Sequence, residues 1–369
     1  MKKTIKMRAI GAVSSQFQAE LLIAPVFEGS FSDERRSAVH GQALCSQAEL
    51  LSFDGKHGST MLHVAATPGA APRTIFAGLG AADKLTGKTL RDALSAAFRE
   101  GKRLKVQQIA VQLPSLTGTR VTPLEFGRAV GECAGSVDYV MNHQKTEKGG
   151  HKAETRFSAV SLLGSEHPDF QQGLKEGYAV ARSSNLARDL VTEPAGTMTP
   201  SELAKRAQQV ADASKGAIKI KFYGKRELKK MGANAFLAVA RGSDEKPVLI
   251  EMNYEPEGAD KDVRLALIGK SVTFDTGGYD LKPAAGMRTM KCDMAGGAAT
   301  LSAIAAIAAL KLPVNVKVVM AATENMVNGK AYKPGDVIHT MAGLSVEVDN
   351  TDAEGRLTLA DAIEFVKRQ

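Results

Sequence analysis

The sequence predicts an α/β protein with two domains. Runs of β-forming residues alternate with helical patterns along the chain, which is typical of α/β folds whose sheets are mainly parallel. The 369 residues suffice for two hydrophobic cores, and 44% apolar and 24% charged residues are ordinary for a globular protein. We therefore predict an N-terminal α/β domain with a mainly parallel sheet over residues 1–165 and a C-terminal α/β domain over residues 166–369.

The first domain is predicted from apolar runs and amphipathic segments. Short runs rich in apolar and β-forming residues predict strands at residues 20–27, 73–77, 106–113 and 157–163. Apolar residues at helical spacing, or a proline in the first turn, predict helices at residues 90–103 and 123–140. Residues 142–156 are polar and predict a loop. The domain boundary is placed shortly after the strand that follows this loop.

The second domain repeats the alternation. Apolar runs predict strands at residues 218–223, 247–252, 265–269, 314–321 and 346–348. Helices are predicted at residues 168–190, from 200 onward, and at 225–231, 295–310 and 359–366. The Ala-rich helix 295–310 has few charges, so we expect it to be buried against a sheet. Loops after parallel strands carry the chemistry of α/β sheets, and we expect residues 270–275 and 349–354 to lie there.

Charge, cysteine content and hydropathy indicate which partners and which cellular compartment to expect. Residues 1–150 hold nineteen Lys and Arg against thirteen Asp and Glu, which is +6 of the total net charge of +8. This excess indicates a solvated surface or, alternatively, an acidic partner such as nucleic acid. The three cysteines have no metal-type spacing, which fits a reducing compartment. No apolar run approaches the roughly 20 residues of a membrane span, so we expect a cytoplasmic protein without a membrane partner.

Four acidic residues occupy settings unlike a solvated surface. Asp275 precedes two glycines, Asp293 precedes the Ala-rich helix, and Asp352 and Glu354 stand two apart among turn-type residues. Buried carboxylates require a compensating cation, and oxygen donors without His or Cys suit Mg, Mn or Zn in a two-metal site. A turn-forming Asp275 and a helix-capping Asp293 are the alternatives. The residue types alone leave both readings open.

Three cations stand among these acids. Lys270 follows a buried strand, where an ammonium group is costly, so it is either ion-paired with Asp275 or a neutral amine bound to a metal. Lys282 and Arg356 would balance the charge of the carboxylates.

Together these segments resemble the signature of the leucyl aminopeptidase family, the M17-type dinuclear metallopeptidases. The matching segments are Gly-Lys-Ser-Val-Thr-Phe-Asp-Thr-Gly-Gly (269–278), Leu-Lys-Pro (281–283), Met-Lys-Cys-Asp-Met (290–294) and Asn-Thr-Asp-Ala-Glu-Gly-Arg-Leu (350–357). The resemblance implies five ligands of two divalent metals, with Asp275 bridging both: Lys270, Asp275, Asp293, Asp352 and Glu354. It also implies that Lys282 polarises the scissile carbonyl and stabilises the oxyanion, and that Arg356 holds a bicarbonate acting as base.

Further expectations follow from the same resemblance. It implies a macro-like N-terminal domain, Mn or Zn (or Mg or Co) as metal, a metal-activated water as nucleophile, and peptides with a free N-terminus as substrates, with a leucine-type preference. It also implies a homohexamer for full-length members. The chain departs from the family in two ways: Thr276 stands where Ser is commoner, and Gln369 ends the chain soon after Arg356. Members continue further, so we expect a catalytic domain that is incomplete at its C-terminus.

The leading hypothesis is a cytoplasmic metal-dependent aminopeptidase. Two alternatives stay open at this point. One is a nucleic-acid-binding or regulatory protein that acts through the basic N-terminal domain. The other is an inactive, shortened homologue of the peptidases.

Overall fold

A computed structural model describes residues 4–11, 18–29, 53–64, 71–141 and 156–369. The chain divides into two compact units, Met1–Arg182 and Ser183–Gln369. This division falls inside a long helix, whereas the sequence analysis placed the boundary before that helix, at 165/166. Cys45 and nearly all of the polar segment 142–156 lie outside the described residues.

The first unit is built around one six-stranded sheet. Its strands are β1 (Lys6–Ile10), β2 (Leu21–Phe27), β3 (Thr60–Val64), β4 (Arg73–Gly80), β5 (Gln108–Gln112) and β6 (Ala159–Leu163). Its helices are α1 (Gly87–Arg103), α2 (Pro123–Val137) and the first part of α3 (Pro168–Thr192). The strand order is β1-β6-β5-β2-β4-β3, and every neighbouring pair is parallel except β3 with β4. The mainly parallel sheet predicted for the N-terminal domain is confirmed.

Local sequence explains how these elements begin and pack. All seven residues of β2 are buried, as its unbroken apolar run predicted. Thr86 and Thr122 cap α1 and α2 through their side chains, and each helix starts with a capping box. Leu94 and Phe98 of α1 are fully buried in the core that covers this sheet.

The second unit contains a four-stranded sheet and a two-stranded sheet. The strands are β7 (Ile218–Gly224), β8 (Val248–Tyr254), β9 (Arg264–Asp275), β10 (Asn315–Asn325), β11 (Val337–His339) and β12 (Ser345–Glu347). The helices are α4 (Pro200–Ala213), α5 (Lys225–Met231), α6 (Asn234–Val239), α7 (Ala284–Met287), α8 (Ala295–Leu310) and α9 (Glu354–Lys367). The larger sheet has the order β7-β8-β10-β9, in which only β9 and β10 are parallel neighbours.

The parallel pair β9 and β10 sets the position of the charged residues. The sequence analysis ended the first of these strands before Lys270, but β9 continues to Asp275 because its ladder with β10 continues, with Lys270 opposite Ala321 and Asp275 opposite Asn325. Asp275 therefore lies at the carboxyl end of a strand with a parallel neighbour, although residues 270–275 belong to the strand itself and not, as expected, to the loop after it. The expectation was wrong for residues 349–354, because the preceding strand, β12, pairs only with β11, in antiparallel fashion.

Helix α8 lies close against β9. A Cβ atom on Gly269 would lie 2.6 Å from the carbonyl oxygen of Gly296 and 2.7 Å from Cα of Gly297, so only glycine permits this approach. By length and composition, the helical segment Met290–Leu310 could cross a membrane, with a mean hydropathy of 1.5, but core helices of soluble proteins pass the same test. Five residues of α8, from Gly297 to Ile304, are buried.

Candidate metal centre

The acidic residues singled out from the sequence come from three separate stretches of the second unit. Asp275 ends β9, and Asp293 ends the short 3-10 turn Met290–Cys292 that precedes α8. Asp352 lies in the 3-10 turn Thr351–Ala353, and Glu354 is the first residue of α9. Carboxylate oxygens of Asp275, Asp293 and Glu354 all lie within 4.8 Å of one another. Asp293 makes no cap for α8, whose N-cap has no side-chain hydrogen bond.

Two lysines link these carboxylates in pairs. The Nζ atom of Lys270 lies 2.7 Å from Asp293 Oδ1 and 2.6 Å from Glu354 Oε1. Lys282 Nζ lies 3.0 Å from Asp275 Oδ2 and is also ion-paired with Asp352 Oδ1. The sequence alternative for Lys270, an ion pair with Asp275, is therefore not what the structure shows. Six of the seven residues predicted for the site are brought together.

Burial and charge shift the pKa values of these groups in ways that fit a cation site. Burial raises the pKa of Asp293 and of Glu354, and the hydrogen bond or ion pair with Lys270 lowers it only in part. For Lys270, burial opposes the charged form, but the partners Asp293 and Glu354 outweigh burial and raise its pKa. The pKa of Lys282 is raised in the same way by Asp352 and Asp275. In this arrangement the two ammonium groups supply the positive charge between the acids.

The donor set fits divalent metal ions. Asp293 Oδ2 is a buried oxygen that accepts no hydrogen bond from the described residues, whereas Glu354 Oε1 has Lys270 Nζ beside it at 2.6 Å. A buried oxygen of this kind normally has a partner, and divalent cations such as Mg²⁺ and Mn²⁺ bind preferentially to oxygen ligands. Lys270 would have to release its proton to act as a ligand, and a dication nearby favours that.

Glycines shape the backbone around these side chains. Gly277 and Gly278 have φ angles of +86° and +66°, which residues with a Cβ atom rarely adopt. The Gly277 N–H donates a 2.8 Å hydrogen bond to Asp275 Oδ1. At the start of α9, a Cβ atom on Gly355 would lie 2.8 Å from Cδ of Lys270. Because position 355 is a glycine and has no Cβ atom, Lys270 can lie across the first turn of α9.

A layer of polar residues behind the acids was not found from the sequence. Asn325 donates to Asp275 Oδ1 at 2.8 Å and to the carbonyl oxygen of Thr351 at 3.0 Å. The Tyr332 hydroxyl donates to the same Thr351 oxygen at 2.6 Å, and the Thr351 N–H donates to Asp280 at 2.7 Å. Asn325 ends an apolar strand, which is the one signal in the sequence that could have identified it.

Arg356 is the exception among the predicted site residues. Its side chain is exposed, and it makes no ion pair with any residue that the structure describes. It follows Glu354 by two positions on α9, and successive positions of a helix point in different directions. Its assigned role with bicarbonate is not tested by this geometry and stays a prediction.

Comparison with known proteins identifies the family. Residues 185–369 match the catalytic-domain model of the cytosol aminopeptidase family (Peptidase M17), and residues 26–148 match its N-terminal-domain model. The chain belongs to the cytosol aminopeptidase family. As a family member it is a metal-dependent aminopeptidase, and the two-domain α/β fold predicted from the sequence is confirmed.

Individual relatives of the cytosol aminopeptidase family support this assignment. The chain is 37% identical to a probable cytosol aminopeptidase from Solibacter usitatus, over 100% of this chain and 72% of the relative. It is 34% identical to another from Alkaliphilus metalliredigens, over 98% of this chain and 73% of that relative. The chain thus spans about seven-tenths of the length of both relatives.

Solved structures agree. A mutant of tomato leucine aminopeptidase superposes with a TM-score of 0.85 at 26% identity, covering 100% of this chain and 72% of that one. The bottromycin maturation enzyme BotP in complex with Mn has a TM-score of 0.80 at 29% identity, covering 95% of this chain and 70% of that one.

Proposed function

We propose that this chain releases N-terminal amino acids, with a preference for leucine-type residues, from peptides with a free α-amino group, and that it does so with two divalent metals. One observation carries the proposal: carboxylates from β9, the turn before α8 and the start of α9 converge within 4.8 Å, and one buried oxygen of this cluster, Asp293 Oδ2, has no hydrogen bond from the described residues. Membership of the cytosol aminopeptidase family and the Mn complex of a structural relative support it.

The proposed ligands are Lys270, Asp275, Asp293, Asp352 and Glu354. When bound, the two cations would supply Lewis acidity, lower the pKa of a water and attract the substrate amine. We propose Mn or Zn as the resident metals, with Mg or Co as substitutes, because the donors are mainly carboxylate oxygens. We propose Asp275 as the ligand shared by both cations, because it lies in the cluster with Asp293 and Glu354 and also contacts Lys282, which is ion-paired with Asp352.

The chain's own cations would act on the substrate. The Lys282 side chain is 17% exposed, and its Nζ lies next to Asp275 and Asp352 at the open side of the acidic cluster. A protonated lysine there can donate to a substrate carbonyl oxygen and stabilise the negative charge that develops on it. Arg356 is exposed and would be free to hold a bicarbonate ion as a base.

The experiment is metal-dependent hydrolysis of leucine p-nitroanilide by the purified 369-residue chain. Chelator treatment is expected to abolish hydrolysis, and Mn²⁺ or Zn²⁺ is expected to restore it. N-acetyl-leucine p-nitroanilide, which lacks the free amine, is the matched control and should not be cleaved. Equal cleavage of the acetylated substrate would contradict an aminopeptidase. Rates for Leu, Phe, Glu and Lys anilides measure the leucine preference.

The remaining expectations stay predictions. The homohexamer implied by the resemblance is tested by analytical ultracentrifugation, and the cytoplasmic location is supported by the names of the relatives. The nucleic-acid alternative rests on the basic N-terminal region. Several cations there pair with acids, including Lys88 with Asp92 and Arg128 with Glu176, so the structure does not favour it as a second function.

A further inference from the structure

Asn325 occupies an unusual position at the end of β10. It is 0% exposed, and it lies directly opposite Asp275 in the parallel ladder of β9 and β10. Its amide nitrogen donates both of its protons, one to Asp275 Oδ1 at 2.8 Å and one to the carbonyl oxygen of Thr351 at 3.0 Å. Its backbone carbonyl oxygen accepts from the N–H and from the hydroxyl of Thr276, each at 2.9 Å.

The orientation of this amide is fixed by its surroundings. Turned by 180°, the amide would place its oxygen against a carboxylate and a carbonyl oxygen, two acceptors that cannot donate to it. In the observed orientation the amide oxygen, Asn325 Oδ1, is buried and accepts no hydrogen bond from the described residues. An unsatisfied buried acceptor costs about 1–3 kcal/mol, so stability alone does not explain an asparagine here.

The hydrogen bonds of Asn325 join two segments that carry proposed ligands. One segment is the turn that follows Asp275, and the other is the turn in which Thr351 immediately precedes Asp352. Asp275 Oδ1 accepts from both the Asn325 amide and the Gly277 N–H, which leaves Oδ2 as the oxygen next to Lys282. Asn325 therefore acts on both the rotation of the Asp275 carboxylate, together with the Gly277 N–H, and the separation of Asp275 from the Asp352 turn, which Thr351 also fixes through its hydrogen bond to the Gly277 carbonyl oxygen.

We propose that Asn325 is a positioning residue of the metal centre, which orients Asp275 and holds the Asp352 turn at the correct separation from it. This inference rests on the proposed function, because it takes both acids as metal ligands. Residues that hold metal ligands in place typically change metal affinity or activity by 10- to 100-fold when they are replaced. Loss of Asn325 should therefore weaken metal binding by more than the accompanying loss of folding stability explains.

The strand offers a matched control. Asn315, the first residue of β10, also donates its side-chain amide protons to two backbone carbonyl oxygens, those of Asp260 at 2.7 Å and Val263 at 3.2 Å. It is the same residue type in the same strand, at the end away from the acids, and it differs from Asn325 in being half-buried and in donating only to backbone oxygens. Asn325→Leu removes the hydrogen-bond donors and keeps a side chain of similar volume, whereas Asn325→Ala removes both the donors and the volume. Asn315→Leu and Asn315→Ala make the same two changes at the control position.

The experiment measures binding of Co²⁺ and Mn²⁺ to all five proteins by isothermal titration calorimetry. Unfolding of the metal-free proteins and the visible spectrum of bound Co²⁺ are recorded alongside. We expect the Asn325 variants to bind at least one metal 10- to 100-fold more weakly and to have an altered Co²⁺ spectrum. The Asn315 variants should lose stability but keep the parent affinity within about twofold. At saturating metal, the Asn325 variants should lose kcat more than they change KM.

Two outcomes would overturn the proposal. In one, an Asn325 variant folds and binds both metals with the parent affinity and spectrum. In the other, neither Asn325 variant folds even though the Asn315 variants do, which would make Asn325 a folding residue. Failure of the parent chain to bind Co²⁺ or Mn²⁺ is a different result, because it contradicts the proposed function itself.

Discussion

Replacing Lys282 by Ala distinguishes the two roles that its position permits. Its Nζ atom lies 3.0 Å from Asp275 Oδ2 and is ion-paired with Asp352, with the lysine side chain 17% exposed. If Lys282 stabilises charge on the substrate carbonyl, its loss should lower kcat by roughly 10²–10³, which corresponds to about 2.7–4 kcal/mol of transition-state stabilisation. If it only balances the charge of the carboxylates, turnover with bound metal should change little.

The same variant should also change the free energy of unfolding, and that change should be larger without metal than with it. Without metal, Lys282→Ala leaves the buried Asp275 without the cation beside it, and breaking a buried ion pair costs about 3–5 kcal/mol. Bound metal would replace that positive charge, so the deficit in unfolding free energy should shrink when Mn²⁺ is present. Both quantities follow from urea unfolding with and without Mn²⁺ and from hydrolysis of leucine p-nitroanilide.

The control for this experiment is Lys333→Ala. Lys333 is an exposed lysine whose Nζ donates to the backbone carbonyl of Ala331, and its loss should affect neither the kcat nor the metal dependence of stability. The reasoning would be refuted if Lys282→Ala, with two metals bound, kept a kcat within about threefold of the parent.

Three further predictions follow. Asp275→Ala should lose both metals, as measured by elemental analysis after dialysis, because that carboxylate is proposed to contact both; full retention of metal would remove the bridging role. Gly355→Ala should weaken metal binding, measured by calorimetry, because a Cβ atom 2.8 Å from Lys270 Cδ must displace that lysine; unchanged affinity would show that the lysine can adjust. Burial acts to raise the pKa of Glu251, but hydrogen-bond donors including Lys317 outweigh burial and lower the pKa below the ordinary value of 4.5. The ionised Glu251 therefore stabilises the folded protein above pH 4.5, and this contribution is lost as the pH falls. Glu251→Gln should therefore be about 1–3 kcal/mol less stable than the parent at pH 7, with the difference shrinking below pH 4.5, and a constant difference in urea unfolding would contradict this.

Much of the fold was predictable from local patterns. Helices α5 and α8 begin and end at the residues predicted, and most strands of both sheets were found because their apolar runs are buried on one or both faces. Strands β1, β3 and β11 were missed because each has at most one buried residue, so none contains a buried apolar run. The length of β9 was underestimated because its continuation past Lys270 depends on pairing with β10, and local sequence does not show pairing.

The same distinction between local pattern and strand pairing applies to the candidate site. The acids could be identified because charged residues among glycines and apolar residues stand out in a sequence, and a family signature contains them. Asn325 could not, because its role depends on lying opposite Asp275 across a ladder between residues 50 positions apart. An asparagine at the end of a strand otherwise resembles an ordinary turn former.

We propose that one cluster of acids and lysines in the second unit holds two divalent metals. The most direct test is the metal content of the purified 369-residue chain after equilibration with Mn²⁺ or Zn²⁺ and removal of excess ion, measured by inductively coupled plasma mass spectrometry. We expect about two metal ions per chain and close to none in Asp275→Ala. A parent chain that retains no metal, or a variant that retains two, would contradict the proposal.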